Sequence, residues 1–374
     1  MRETAELALV LSGGSVRGAA HVGALKVLER YGLAPDLVAG TSAGAMVAAL
    51  YGSGLSPAEL EELLLRHYRR RDFLDPDLGG ILGSVLLFMP KRFRGLYRGR
   101  KLQDLIAASL RHIRDFADYR RPDPPPSVRP VLISAVNLAD GQETIFAPPG
   151  VLPRGEFRVC TKQSLDFAVR CSIGIPGVFI PAACEPRPGC PCHGKGTQYY
   201  VDGGVRDFYP ITVPIRLAGA RRVIGVDLGY AGMAEDVWAG GPAGLFNHVL
   251  EIMGHDQVEA DYRDHEVVRV QVVTVNPLIY DVGAFETEYI PELIARGEAV
   301  MEECLRHLGL RPGAGRAANL ARLFPPGRPL LVYPAKGTAA FESWLARSIK
   351  KAKAPSRGKG GEVRVHARST QLDA

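Results

Sequence analysis

No stretch of about 18 consecutive apolar residues occurs in the 374-residue chain, so no transmembrane helix is expected. Residues 1–6, Met-Arg-Glu-Thr-Ala-Glu, lack the apolar core of a secretory signal. Cysteine is scarce. The six residues, Cys160, Cys171, Cys184, Cys190, Cys192 and Cys304, are not spread like a disulfide framework, and a chain of this size does not need one. The glycine-rich stretch Gly13-Gly14-Ser15-Val16-Arg17-Gly18 lacks the Gly-Lys-Ser/Thr ending of a nucleotide P-loop. It also misses Gly-x-Gly-x-x-Gly spacing, which disfavours a dinucleotide fold. No internal repeat is visible, and no linker precedes about residue 350. The expected location is the cytoplasm, with room for a peripheral membrane contact.

What is present describes a globular protein: 46% of residues are hydrophobic and 23% charged. A sizeable core follows from that length and composition. The net charge of +6 is unevenly spread. Between residues 350 and 368 seven cationic side chains face one acid, Glu362. Such a tail, residues 350–374, reads first as solvated and disordered, and second as an electrostatic tether to anionic lipid headgroups. It has no interleaved aromatics, so nucleic acid is not expected as a partner.

The first 55 residues carry the clearest pattern. Leu7 to Ser12 is a short apolar run, as for a buried parallel strand. A helical pattern follows from about Gly18 to Tyr31, ended by Gly32. Leu37-Val38-Ala39 reads as a second strand, and Ala43 to Tyr51 as a helix packed tightly on a sheet. Strand–turn–helix repeated twice predicts an α/β fold with a parallel sheet covered by helices. Further strands are expected at 131–136, 143–146, 223–228 and 267–275, a hairpin from 179–183 and 198–201, and helices at 57–68, 101–112, 164–172 and 286–307. Residues 79–98 combine an apolar run with Lys91, Arg92, Arg94 and Arg98. They read as a buried helix with a basic flank, or as a cap meeting lipid or an interface. One compact domain over 1–308 is preferred, with 309–349 as a peripheral helical segment.

Ser42 lies in Gly40-Thr41-Ser42-Ala43-Gly44, between a strand and a helix. That context suits a nucleophile on a tight turn, where helix N–H groups favour developing negative charge; a plain N-cap serine is the competing reading. The Gly13–Gly18 loop occupies the equivalent place after the first strand and suits an oxyanion hole. Arg17 reads as a loop-orienting or phosphate-attracting residue, or a surface arginine. A serine nucleophile needs a base. His21 reads as a packed histidine, and His248, His255 and His265 sit at no obvious strand end. Asp202, in Val201-Asp202-Gly203-Gly204 at a strand end, is the other candidate. Cys184, Cys190, Cys192 and His193 crowd one Pro/Cys-rich insert. They are zinc candidates, although without a Cys-x-x-Cys pair a reduced or disulfide-clipped hairpin is favoured.

Taken in order, these motifs resemble the patatin-like phospholipase family over about residues 7–230. Gly13–Gly18 resembles its oxyanion loop, Gly40–Gly44 its nucleophile elbow, and Asp202-Gly203-Gly204 the motif bearing its aspartate. Residues 168–179 resemble its helix-to-proline turn. The resemblance implies a three-layer fold with a mostly parallel sheet and helices on both faces. It implies a Ser42–Asp202 dyad without histidine, an acyl-enzyme, and an oxyanion hole from Gly13, Gly14 and Ser15. It also implies a lipid acyl ester as substrate and no cofactor. Acyl transfer, thioester hydrolysis, or an idle lipid-binding role on the same site are the alternatives. Two features depart from the family: Ser15 replaces a glycine, and the 184–197 insert is unfamiliar.

Overall fold

The computed structural model describes residues 5–86, 94–185, 196–229, 241–279, 282–283, 285–328 and 330–333. Ten strands form one sheet. They are β1 (Ala8–Leu11), β2 (Leu37–Thr41), β3 (Val131–Asn137), β4 (Glu143–Phe146), β5 (Arg158–Cys160), β6 (Ala182–Cys184), β7 (Gln198–Asp202), β8 (Arg222–Val226), β9 (Gln271–Val275) and β10 (Leu330–Tyr333). The helices are α1 (Ala19–Arg30), α2 (Ala43–Gly52), α3 (Pro57–His67), α4 (Arg70–Phe73), α5 (Leu78–Leu86), α6 (Arg100–Ser109), α7 (Leu165–Ser172), α8 (Thr212–Ala218), α9 (Gly241–Tyr262), α10 (Ile290–His307) and α11 (Arg316–Leu323).

The sheet runs β10-β9-β8-β1-β2-β3-β4-β5 and is parallel from β10 through to β3. The central strands are buried on both faces, which is why they are continuous apolar runs. Alternate residues serve opposite layers. Leu9 and Leu11 pack with the α1, α2 and α10 side, whereas Ala8 and Val10 pack with Tyr209, Ile211 and Val213. Helices therefore cover both faces. On one side α1 and α10 meet through glycine: a Cβ on Gly23 would lie 2.0 Å from the Ile294 carbonyl oxygen, and one on Gly297 2.0 Å from that of Ala20.

Strand β3 organises the site. β2 lies along it only as far as the pair Thr41↔Ser134. β4 covers residues 133–136 of β3 antiparallel, on the other edge. β7 then takes the edge that β2 vacates, pairing Asp202 with Ala135. The end of β2 and the end of β7 thus face each other along one edge of β3.

Several expectations shift. The 267–275 stretch is a 3₁₀ turn at Val267–Arg269 followed by the shorter β9. The hairpin forms from β6 and β7, later in its first arm than the pattern suggested. β5 is three residues long, too short to show alternation. After residue 308 the chain is not only helical: β10 adds a parallel strand to the sheet edge beside β9. α5 presents Leu78 and Leu82 to solvent, at 62% and 54% exposure, so its first turn is a surface element and not a buried helix. The basic tail and the Pro/Cys loop with Cys190, Cys192 and His193 lie outside the described residues.

Candidate active site

Ser42 is the N-cap of α2 and sits at φ 54°, ψ −120°. A non-glycine residue with positive φ is strained by about 1–3 kcal/mol and persists only where its surroundings hold it. Here they do. The turn is pressed against β1, because a Cβ on Gly44 would fall 2.2 Å from the Leu11 carbonyl oxygen. Only glycine permits that approach. The Ser42 N–H donates to the Ser172 Oγ at 2.8 Å. Its Oγ donates to Asp202 Oδ2 at 2.7 Å. Ser42 is 7% exposed and Asp202 6%.

Asp202 ends β7, and its other oxygen, Oδ1, accepts the Gly204 N–H at 2.8 Å. Its own N–H donates to the Gly174 carbonyl at 3.0 Å. Burial pushes the carboxyl up to about 7, against the opposing pull of the bonds from Ser42 and Gly204. A carboxylate poised there can take a proton at neutral pH. Gly203 is pressed against β3, with a Cβ 2.6 Å from the Ser134 carbonyl oxygen.

His21 is fully buried, and its Nε2 lies 2.9 Å from the Ser12 carbonyl oxygen. Burial lowers its pKa to about 4, so it is neutral and held by backbone. Among the described residues no histidine hydrogen-bonds Ser42.

The loop after β1 turns through Gly14 at φ 154° and Ser15 at φ 52°. Positive φ at both positions accounts for the preference for glycine here; Ser15 bears a cost of about 1 kcal/mol. The Gly13 N–H is already spent on the Phe208 carbonyl at 2.9 Å. Those of Gly14 and Ser15 have no acceptor among the described residues. Arg17 is buried, and its Nε donates to the Gly14 carbonyl at 3.3 Å. It lies against the loop and is not a surface arginine. Gly18 brings this element onto the elbow, with a Cβ 2.5 Å from that of Ala43.

Five neighbours were given no role of their own in the sequence reading, although Thr41 and Ser172 lie inside its motifs. Ser172 closes α7 and reaches Ser42. Phe208, partly exposed, lays its ring on the loop: a Cβ on Gly13 would be 2.7 Å from Cε2. Thr41 Oγ1 donates to the Asp207 carbonyl at 2.9 Å, tying the elbow to the segment after Asp202. Behind them Glu143 accepts from Ser134 Oγ at 2.6 Å, and burial raises its carboxyl to about 7. Asp207 is raised as well, by burial and by Glu143. No motif spacing signals Ser172 or Glu143, which α7 and the β3–β4 pairing bring in from distant segments.

Cys184 is buried, and Gln163 Nε2 donates to its Sγ at 3.0 Å. Among the described residues no cluster of three His, Cys, Asp or Glu could hold a metal ion, and no helix is long and apolar enough to cross a membrane.

The family model for patatin-like phospholipase matches residues 9–215. The chain is 34% identical over 222 residues to the uncharacterized protein YqhO of Bacillus subtilis, which covers 59% of this chain and 70% of that one. It is 28% identical over 226 residues to patatin-like phospholipase domain-containing protein 6 of Mus musculus, covering 60% of this chain but 13% of the mouse protein. Among solved structures, VipD from Legionella pneumophila resembles it at 14% identity and a TM-score of 0.43, over 93% of this chain and 74% of that one.

Proposed function

Because the chain belongs to the patatin-like phospholipase family, we propose that it hydrolyses acyl esters of lipids, as a phospholipase A or lysophospholipase, through a Ser42–Asp202 dyad. The observation that carries this reading is the 2.7 Å bond from Ser42 Oγ to a buried Asp202 carboxylate. Asp202 takes the hydroxyl proton as Ser42 attacks the ester carbonyl. The tetrahedral oxyanion is received by the N–H groups of Gly14 and Ser15, with the N-terminus of α2 adding its favourable dipole. Gly13 shapes this hole through its bond to Phe208 and does not donate to it. Asp202 then returns the proton to the departing alcohol. Water, deprotonated by the same carboxylate, attacks the acyl-enzyme; the ester bond to Ser42 breaks, Asp202 returns the proton to the Ser42 oxygen, and the fatty acid leaves.

Lipid is the substrate class that the family implies, and one surface segment suits it. Exposed Leu78, Leu82 and Leu96 lie on the segment leading to exposed Arg98, a pattern fitted to the lipid–water boundary. The test is a product analysis on mixed phospholipid and glyceride vesicles. Free fatty acid is expected from the wild-type protein and not from Ser42→Ala. Acylated acceptor in its place indicates a transferase, and equal release by Ser42→Ala overturns the reading.

A further inference from the structure

The strained nucleophile needs an acceptor for its backbone. At the end of β2 the ladder with β3 stops at Thr41↔Ser134, and the next pair along that edge belongs to Asp202. The Ser42 N–H is therefore past the last strand partner. It is also buried, so leaving it unpaired costs about 1–3 kcal/mol. Helix α2 offers nothing, because a helix N-terminus presents donors and not acceptors. The acceptor comes from a separate segment. α7 ends at Ser172, which is fully buried, with its Oγ 2.8 Å from the Ser42 nitrogen. Two residues later the Gly174 carbonyl accepts the Asp202 N–H at 3.0 Å.

We propose that Ser172 is a positioning residue for the reaction: the α7 terminus clamps both members of the dyad, Ser42 through the Ser172 hydroxyl and Asp202 through the Gly174 carbonyl. This rests on the Ser42–Asp202 reading above. The Ser172 oxygen holds Ser42 in the positive-φ conformation that aims Oγ at Asp202 Oδ2. The same bond consumes the Ser42 N–H, so that group does not serve the oxyanion. Without the acceptor, Ser42 relaxes toward negative φ and its hydroxyl swings off the carboxylate. A displacement of that kind costs rate and leaves substrate binding intact.

The test uses the full chain and a soluble p-nitrophenyl ester. Ser172→Ala is expected to lower kcat about 10- to 100-fold with KM within about twofold. The acid limb of its pH profile should move to higher pH, because the Ser42 bond helps to keep Asp202 ionised. A merely structural serine would not move that limb. Ser172→Thr, which keeps the oxygen, should restore most of kcat and the limb. Should Ser172→Ala fold poorly, Ser172→Cys, nearly isosteric but a weak acceptor, is expected to give the same loss and shift. An unshifted limb with wild-type kcat in a folded Ala or Cys variant overturns the clamp. Asp202→Asn, assayed beside it, separates the two readings. If that variant is inactive while Ser172→Ala behaves as wild type, only the clamp fails; if it keeps full activity, both fail.

Discussion

Thr41 pairs with Ser134 and Asp202 with the adjacent Ala135, so the residue after β2 and the last residue of β7 meet at one point on β3. The separation of 160 positions between Ser42 and Asp202 is closed by strand register and not by a flexible loop. That makes the Ser42–Asp202 geometry a property of the sheet. It also explains the two glycines that abut backbone there, Gly44 against Leu11 and Gly203 against Ser134.

The pH dependence follows from Asp202. Its carboxyl is held up to about 7 by burial, and in the proposed mechanism only the ionised form accepts the Ser42 proton. kcat/KM for a soluble ester should therefore fall about tenfold per pH unit below that value and level off above it. A pH–rate profile measures this directly. A flat profile from pH 5 to 8 would remove Asp202 as the base.

His21 gives the contrasting expectation. Neutral, buried and bonded to the Ser12 carbonyl, it makes no hydrogen bond to Ser42 among the described residues. His21→Gln keeps a donor near the same carbonyl and should retain kcat within about tenfold, 1.4 kcal/mol in barrier. Steady-state kinetics with a melting curve checks it. Loss as deep as that of Ser42→Ala in a folded variant would restore a histidine mechanism.

How much of this was legible in the chain depends on locality. The β1–α1–β2–α2 unit was readable because each element is contiguous and its apolar runs are bounded by glycine. Ser42 and Asp202 could be singled out as candidates because each sits in a tight turn with its own motif, and the order of these motifs carried the family resemblance. Phe208 was not, and Ser172, though inside the 168–179 stretch, had no role of its own, because a serine closing a helix and a phenylalanine after an aspartate look ordinary until α7 and β7 are packed against β3. β10 was missed for a different reason: Leu330-Leu331-Val332-Tyr333 is apolar but only four residues long and flanked by Pro329 and Pro334, which mark a loop or an edge as readily as a strand.

Ser15 tests which part of the glycine-rich loop matters. Its φ of 52° is one that glycine adopts at no steric cost, yet the N–H survives in either residue. Ser15→Gly should keep kcat within about threefold, under 1 kcal/mol of barrier. Any change should instead fall on KM for bulky esters, because the departing Cβ widens the loop. A collapse of kcat on a small ester would mean that the serine side chain itself takes part.

Glu143 bears on stability. Its carboxyl titrates near 7 in the folded protein against an ordinary value of 4.5. Below the lower value both folded and unfolded chains hold the proton. As pH rises between the two, the unfolded chain ionises first, so folding stability is lost across that window and then levels. Glu143→Gln removes one contributor. The fall in melting temperature from pH 5 to pH 8 should be smaller in the variant than in the wild type, and an unchanged fall would place Glu143 outside the buried acid group.

The most direct test of the dyad is a fluorophosphonate probe followed by peptide mass spectrometry on the wild-type protein and Asp202→Asn. The account predicts one covalent adduct, on Ser42, formed at least about 10²-fold more slowly in Asp202→Asn because the base is gone. An adduct on another residue, or wild-type labelling of Ser42 in Asp202→Asn, would contradict it.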